Sequence, residues 1–500
     1  ADRAALTFAN TEAAHFATRA LELGPSGDLA WRFDLHLARE RLHDLAGDRP
    51  AQAADIAALA DLAERLDDDG RRAVAWLRRA ARDAVAGDYE GALAAGARAV
   101  DLAVAAGDKG LEAEGELEQA QVLWRRAEYD EANAHLHRSR ELAESAERMA
   151  TAALAVRTLG VVAHVRAQWI AANAYLEEAL RIAHDVGDER LEGQVLNSMG
   201  VVALDTGDFA MARALYQRSL EIKRRIGDRR GEGSTLHNLG VLSAEVGDLA
   251  VARRYLRQAL ELSRAAGDAE GESAALLVLG ATAVASGDHV GARTLLERAL
   301  PLLRQLDDRQ GESEALSFLA MVDHRQGDQE AALARGREAA EMAHRVGNPR
   351  EEFQGLTVLA HALFALGRLD EAADVYEQAI TLRHQVEPDD VPVGLLAALA
   401  RTDLARGRTD EALAGVREVL ASGRLADRHS FDEPGLAAVV AHDVLTAVGD
   451  HAGAAEVLER ARELLDERMG RLDEEDRSRF VNDVPAHRRL HELLAQRQAG

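Results

Sequence analysis

A chain of 500 residues with 86 acidic and 60 basic side chains carries a formal charge of −26, which argues against nucleic-acid or anionic-membrane binding by this segment. The absence of cysteine removes disulfides, thiolate nucleophiles and cysteine-ligated zinc, and only 8 prolines leave helices uninterrupted. No apolar run approaches the ~18 residues of a spanning helix. The opening Ala1-Asp2-Arg3 stretch lacks a signal peptide's regions, so the expected location is cytoplasmic.

Residues 1–70 read as irregular helices. Phe8–Leu23 has helical spacing with Ala13, Phe16 and Ala20 on one side, followed by a Gly24-Pro25-Ser26-Gly27 loop. Helical stretches flank Gly47-Asp48, and Asp67-Asp68-Asp69 forms the next break. Phe8–Leu23 has the pattern of the second helix of a pair, displaced by one residue from Ala252, Tyr255 and Ala259 further on. Its first helix would need about eighteen residues upstream. The expectation is a segment cut from a longer polypeptide.

From residue 71 to 470 the chain repeats every forty residues. Gly160, Gly200, Gly240 and Gly280 share one phase, and two further phases carry Gly-Asp pairs such as Gly207-Asp208 and Gly227-Asp228. These pairs divide each unit into two helical segments. In Phe209–Ile226 the residues Ala212, Leu215, Tyr216, Ser219 and Leu220 make one stripe for burial, which Lys223 breaks. A glycine can end each helix in the left-handed conformation and the following aspartate can cap the next. Turns this short force neighbouring helices antiparallel. Glycine in mid-helix costs ~1 kcal/mol, so Gly160, Gly200, Gly240 and Gly280 predict close helix crossings, as do Ala212, Ala252 and Ala292 on the second helices. Glu192, Glu232, Glu272 and Glu312 sit in first turns, where the helix dipole favours an acid.

Leu239-Gly240, Ala252, Leu256 and Ala259 resemble the tetratricopeptide pattern, as do Leu159-Gly160…Ala172…Leu176…Ala179. The family's usual period is ~34 residues. The forty-residue period here is similar to the long-helix arrays of kinesin light chains and spindle-orientation adaptors. The resemblance implies an all-α fold, a right-handed superhelical solenoid of antiparallel helix pairs. It also implies a concave groove lined by the first helix of each pair. The groove candidates are Asn197, Val201, His237, Asn238, Val241, Phe318, Met321, His324, His361 and Phe364. Asn238 stands where relatives use an asparagine to hold a peptide backbone. The basic carboxylate clamp of some relatives is not evident, since Arg157 and Arg325 stand isolated in sequence.

Residues 471–500 read as a capping helix region with a polar outer face, Asp473-Glu474-Glu475-Asp476, followed by Arg479-Phe480-Val481 and Val484-Pro485-Ala486-His487-Arg488. This ending resembles the C-terminus of large bacterial signalling ATPases and transcriptional regulators. It implies an ATPase or regulator domain upstream in cis and a protein, peptide or small-inducer partner. No phosphate-binding loop, dinucleotide fingerprint or His-Glu-x-x-His helix occurs, so no catalytic or cofactor site is expected. His487 and His491 lie one helical turn apart beside Glu492 without a third ligand at closing distance, and no metal site is expected. The function expected is a non-catalytic binding and sensing array. The rival is a self-standing scaffold, able to assemble with copies of itself through the unpaired face of its first helix.

Overall fold

A computed structural model describes residues 2–388, 390–425, 435–472 and 474–499. Asp473 and the side chains of Phe8 and Glu475 lie outside the described residues. Among the described residues there are twenty-five α-helices and no strand. Helix α1 (Asp2–Leu23) precedes the pairs α2 (Leu29–Ala46) and α3 (Arg49–Leu66), α4 (Asp69–Val85) and α5 (Tyr89–Ala106), and α6 (Lys109–Arg125) and α7 (Tyr129–Ser145). The pairs α8 (Met149–Val165) and α9 (Trp169–Val186), α10 (Glu189–Asp205) and α11 (Phe209–Ile226), and α12 (Arg229–Glu245) and α13 (Leu249–Ala265) follow. Next come α14 (Ala269–Ser286) and α15 (His289–Gln305), α16 (Arg309–Gln326) and α17 (Gln329–Val346), and α18 (Pro349–Ala365) and α19 (Leu369–Val386). The chain ends in α20 (Val393–Ala405), α21 (Thr409–Ala421), α22 (Leu436–Ala447), α23 (His451–Gly470), α24 (Glu474–Asn482) and α25 (Pro485–Ala499). The architecture is an all-α solenoid of antiparallel helix pairs. None of the described helices is long and apolar enough to cross a membrane.

The turns follow from local chemistry. Gly187 and Gly227 take the left-handed conformation at helix ends, and Asp188 and Asp208 accept a hydrogen bond from the third amide of the next helix. Among the described residues, five turns reach the same geometry without glycine. Asp67, Ala127, Glu147, Ala167 and Asp307 hold φ between 50° and 61°, a strain of ~1–2 kcal/mol each for an L-residue. The first-turn acids do more than meet the helix dipole. Glu232, Glu272 and Glu312 receive Arg224, Arg264 and Arg304 from the preceding helix at 2.9, 2.6 and 2.5 Å, pinning each inter-repeat turn.

The chain folds as two compact units, residues up to Leu242 with Arg257–Glu272, and Ser243–Leu256 with Ser273 onward. In the first unit, a Cβ on Gly160 would come within 2.8 Å of Leu176, and one on Gly200 within 2.5 Å of Tyr216. Ala172, Ala212, Ala179 and Ser219 are fully buried on the second helices. The unit curls until the turn after α2 meets the turn after α13. Arg49 Nε donates to the Ala266 carbonyl at 2.8 Å, and Gly47 lies where a Cβ would stand 2.9 Å from the Ala266 backbone.

The first helix buries a different stripe from the one expected. Among its described side chains Ala14, Ala17 and Leu21 are buried, whereas Phe16 is 68% exposed. The stripe that packs on α2 is fixed by Arg32 and Arg39, which donate to the Leu21 carbonyl and to Thr18 Oγ1 at 3.0 and 2.8 Å. Lys223 is a second correction: only 2% exposed, it belongs to the buried stripe that its charge had seemed to break.

In the second unit, Gly280 and Leu296 make the same kind of crossing, where a Cβ would approach to 2.6 Å, and Ala292 is fully buried. A direct backbone-to-backbone approach lies between α17 and α18. A Cβ on Gly355 would stand 2.6 Å from the Ala340 amide nitrogen, and one on Gly336 3.0 Å from that of Leu359. Helices α24 and α25 seal the end of the unit with Phe480, Val484, Leu490 and Leu493 buried. The closing segment from Arg471 to Asp483 also reaches back to earlier helices of the unit. Arg253 pairs with Asp476, Arg471 Nη1 donates to the Val246 carbonyl at 2.6 Å, and His289 Nε2 to that of Asp483 at 3.1 Å.

Candidate functional site

In the first unit the first helices of successive pairs, α4, α6, α8, α10 and α12, turn one face inward and enclose a cavity of about 330 Å3. Its walls bring together Arg78, Arg125, Arg157, Arg190 and Arg230 with Asp44, Glu118 and Asp188. Four of these arginines have counter-ions. Arg78 pairs with the fully buried Glu40 at 2.6 Å, Arg125 with Glu270 at 3.1 Å, Arg190 with Asp44 at 3.4 Å and Arg230 with Asp268 at 3.4 Å.

Arg157 has none among the described residues. Its Nη1 donates to Ser198 Oγ at 3.2 Å, and its Nε finds no partner. Burial, helped by the charge of Arg125, pushes its pKa down to about 10, so it remains charged at neutral pH. A desolvated guanidinium without a carboxylate costs several kcal/mol. Burial also pushes the nearby Glu118 up to about 7, against the pull of Arg78 and Arg125, so near neutrality that carboxyl can donate or accept a hydrogen bond. Strongly perturbed groups converging on one cleft make it a candidate functional site.

Three of the sequence candidates, Asn197, His237 and Asn238, lie in the same unit but do not line the cavity. Asn197 Oδ1 accepts from Thr235 Oγ1 at 3.0 Å and from Asn238 Nδ2 at 3.2 Å, and Thr235 in turn accepts from Lys223 Nζ at 2.7 Å. Burial lowers Lys223 to about 8, with the charges of Arg157 and Arg190 adding to the effect and Asp228 opposing it. His237 is beside them on α12 with Nδ1 unpartnered, and burial lowers it to about 4, so it is neutral at pH 7. Val201 and Val241 are half-buried in the same unit.

The candidates of the second unit form other groupings. Phe318 lines a separate cavity near the C-terminal helices. Met321 and His361 are buried in packing, not presented to solvent. His361 bonds Tyr376 Oη at 2.5 Å and stacks on His324 with ring centroids 5.5 Å apart, while Phe364 lies under the Arg401 guanidinium at 4.1 Å. His487 is buried against Phe480, its Nδ1 donating to the Phe480 carbonyl at 2.8 Å, so this histidine serves the packing of the cap.

Arg157 is thus not isolated, contrary to its appearance in the sequence. It occupies the same repeat position as Asn197 and His237, at forty-residue steps, and Arg78 and Glu118 share the next position along. That periodicity was the available signal. The counter-ions, drawn from as far away as Glu270, carried none.

Profiles of the tetratricopeptide repeat match residues 148–225, 191–265, 231–305 and 271–344, and further ones match 355–390 and 393–418, together just over half of the chain. The chain belongs to the tetratricopeptide repeat family. No curated protein matches it in sequence. Among solved structures it is similar to a Rap protein complexed with competence and sporulation factor, with a TM-score of 0.53 and 16% identity over 73% of this chain and 100% of that one. It is also similar to the apo quorum sensor NprR from B. thuringiensis, with a TM-score of 0.51 and 10% identity over 70% of this chain and 98% of that one. A third is a signal transduction ATPase with numerous domains from Pyrococcus horikoshii that carries a tetratricopeptide repeat sensor. It has a TM-score of 0.50 and 16% identity over 68% of this chain, which spans about half of that protein (52%). At these identities the likeness is one of fold.

Proposed function

We propose that this chain is a non-catalytic binding module whose first unit captures an acidic segment of a peptide or protein partner in the cavity around Arg157. The observation that carries the reading is the half-buried, charged Arg157, its Nε buried and without a counter-ion, set in an inward face built from five successive first helices. A ligand carboxylate would supply the missing charge, and Gln121 and Gln194 in the cavity wall offer amides to a peptide backbone. The structurally similar proteins include a Rap protein solved with a signalling factor, a quorum sensor and a repeat sensor of a signalling ATPase. By that likeness we assign this chain a sensing role in bacterial signal transduction, as the ligand-reading arm of an ATPase or transcriptional regulator joined upstream. A ligand that draws the inward helices together would shift the population of array conformations that such a domain reads.

The test is titration of the whole chain with a library of short fluorescent peptides, acidic and neutral, followed by anisotropy. Acidic peptides should bind, and Arg157→Gln should weaken the best of them at least tenfold. Equal binding of neutral and acidic peptides, or no effect of Arg157→Gln, overturns the assignment. The exposed Phe16 and Leu23 on α1 favour a second reading, a scaffold that pairs copies through this helix. Sedimentation over a wide concentration range decides it, since a monomer throughout removes that reading.

A further inference from the structure

The second unit holds a cavity that peptide capture in the first unit does not use. About 320 Å3 in volume, it lies between the C-terminal halves of α12, α14 and α16 and the closing helices α23, α24 and α25. Leu249, Phe318, Leu464, Leu472, Phe480 and Val484 give it apolar walls. Three arginines, Arg325, Arg468 and Arg471, face two acids there, Glu245 and Glu467.

Two of the arginines serve the fold. Arg471 donates to the Val246 carbonyl and to Glu467, both at 2.6 Å, and Arg325 Nη1 to the Val284 carbonyl at 2.8 Å. Both bind carbonyls at or near the ends of helices. The Arg468 guanidinium makes no ion pair and no hydrogen bond among the described residues. Burial, and then the charge of Arg471, hold its pKa below the ordinary arginine range, and it remains a cation. A cavity of this size, part apolar and part polar, with one free cationic donor suits a small amphipathic ligand.

We propose that this cavity binds a small carboxylate with an apolar body, its carboxylate on Arg468 and its body among Phe318, Leu464, Leu472 and Phe480. Two sources share this chemistry, a free acid and the C-terminus of a peptide ending in apolar residues. Occupancy would join α12, α14 and α16 to the closing helices. Binding is independent of the Arg157 cavity.

The probe is octanoate, titrated calorimetrically into the full chain, with octanol as its uncharged counterpart. Octanoate should bind at one site, raise the melting temperature, and bind at least tenfold more tightly than octanol. Arg468→Gln, which keeps much of the side-chain stem, should abolish that preference, Arg468→Lys should restore part of it, and Arg157→Gln should leave it unchanged. Competition by acetyl-leucyl-leucine with a free but not an amidated carboxylate would identify a peptide end as the source, and its absence a free acid. Failure of octanoate to bind, or equal binding of octanol, overturns the proposal, as does full retention of octanoate by Arg468→Gln. Loss of acidic-peptide binding in Arg157→Gln alone would bear only on the first unit.

Discussion

Gly355→Ala isolates what close helix packing requires of this chain. In the second unit the Gly355 Cα faces the backbone of α17, and an added Cβ would stand 2.6 Å from the Ala340 nitrogen and 3.0 Å from its Cα. A backbone cannot rotate aside as a side chain can, so α17 and α18 would have to separate by roughly 0.5–1 Å, which forfeits a quarter to a half of the dispersion energy of the contacts along their seam. Overpacking of this kind costs ~1–3 kcal/mol or more. Alanine recovers ~1 kcal/mol through helix propensity. The net expectation is a loss of up to about 2 kcal/mol, or a drop of as much as roughly 6 °C for a unit of this size. The control is Gly415→Ala in α21, where the new Cβ would meet nothing closer than Ala400 Cβ at 3.4 Å. It should be neutral or stabilise by up to about 1 kcal/mol. Both are read by differential scanning calorimetry and urea unfolding of the whole chain. A Gly355→Ala protein that melts above the parent would refute the close approach and with it the steric account of the helical glycines.

Other expectations follow from the charges and the turns. Ala167→Gly relieves a φ of 57° and should stabilise the first unit by about 1 kcal/mol in urea unfolding, whereas an unchanged midpoint would mean the turn carries no strain. Burial raises Glu351 to about 7, and burial together with the Glu351 charge raises Glu314 to about 8. Both then hold protons in the folded state that the unfolded chain has released, so stability should fall as pH rises from about 4.5 to 8. Glu351→Gln should flatten melting temperature against pH over that window, and an unaltered slope would count against the assignment. Arg78→Gln leaves Glu40 buried without its cation and should cost ~3–5 kcal/mol, while Arg157→Gln removes an uncompensated charge and should melt no lower than the parent. Thermal scans of the pair without ligand compare the two directly. Asp476→Ala removes the partner of Arg253 and should speed amide hydrogen exchange in α24 and α25, with no change expected if that pair is incidental.

Much of the architecture could be read from the sequence because it is made of local, recurring signals. A Gly-Asp pair ends one helix and caps the next within four residues, so the forty-residue period located nearly every turn between helix pairs. The small residues of the second helices, from Ala172 to Ala292, were legible for the same reason. What lies against them was not. Tertiary packing turned Phe16 outward and Lys223 inward, because the neighbouring helices decide which of two adjacent stripes is covered. It forced Ala127 and Ala167 into a left-handed turn that their own chemistry disfavours. The site shows the same division. Asn197, His237 and Asn238 could be named from their repeat positions, yet the chemistry around Arg157 is defined by what does and does not face it. The ion pair of Arg125 with Glu270 spans 145 residues of sequence, and such long-range pairing leaves no local pattern. Periodicity fixes which residues share a helix face. Only the curl of each unit decides which charges meet, because Coulomb energy and desolvation depend on distances in space that a repeat does not encode.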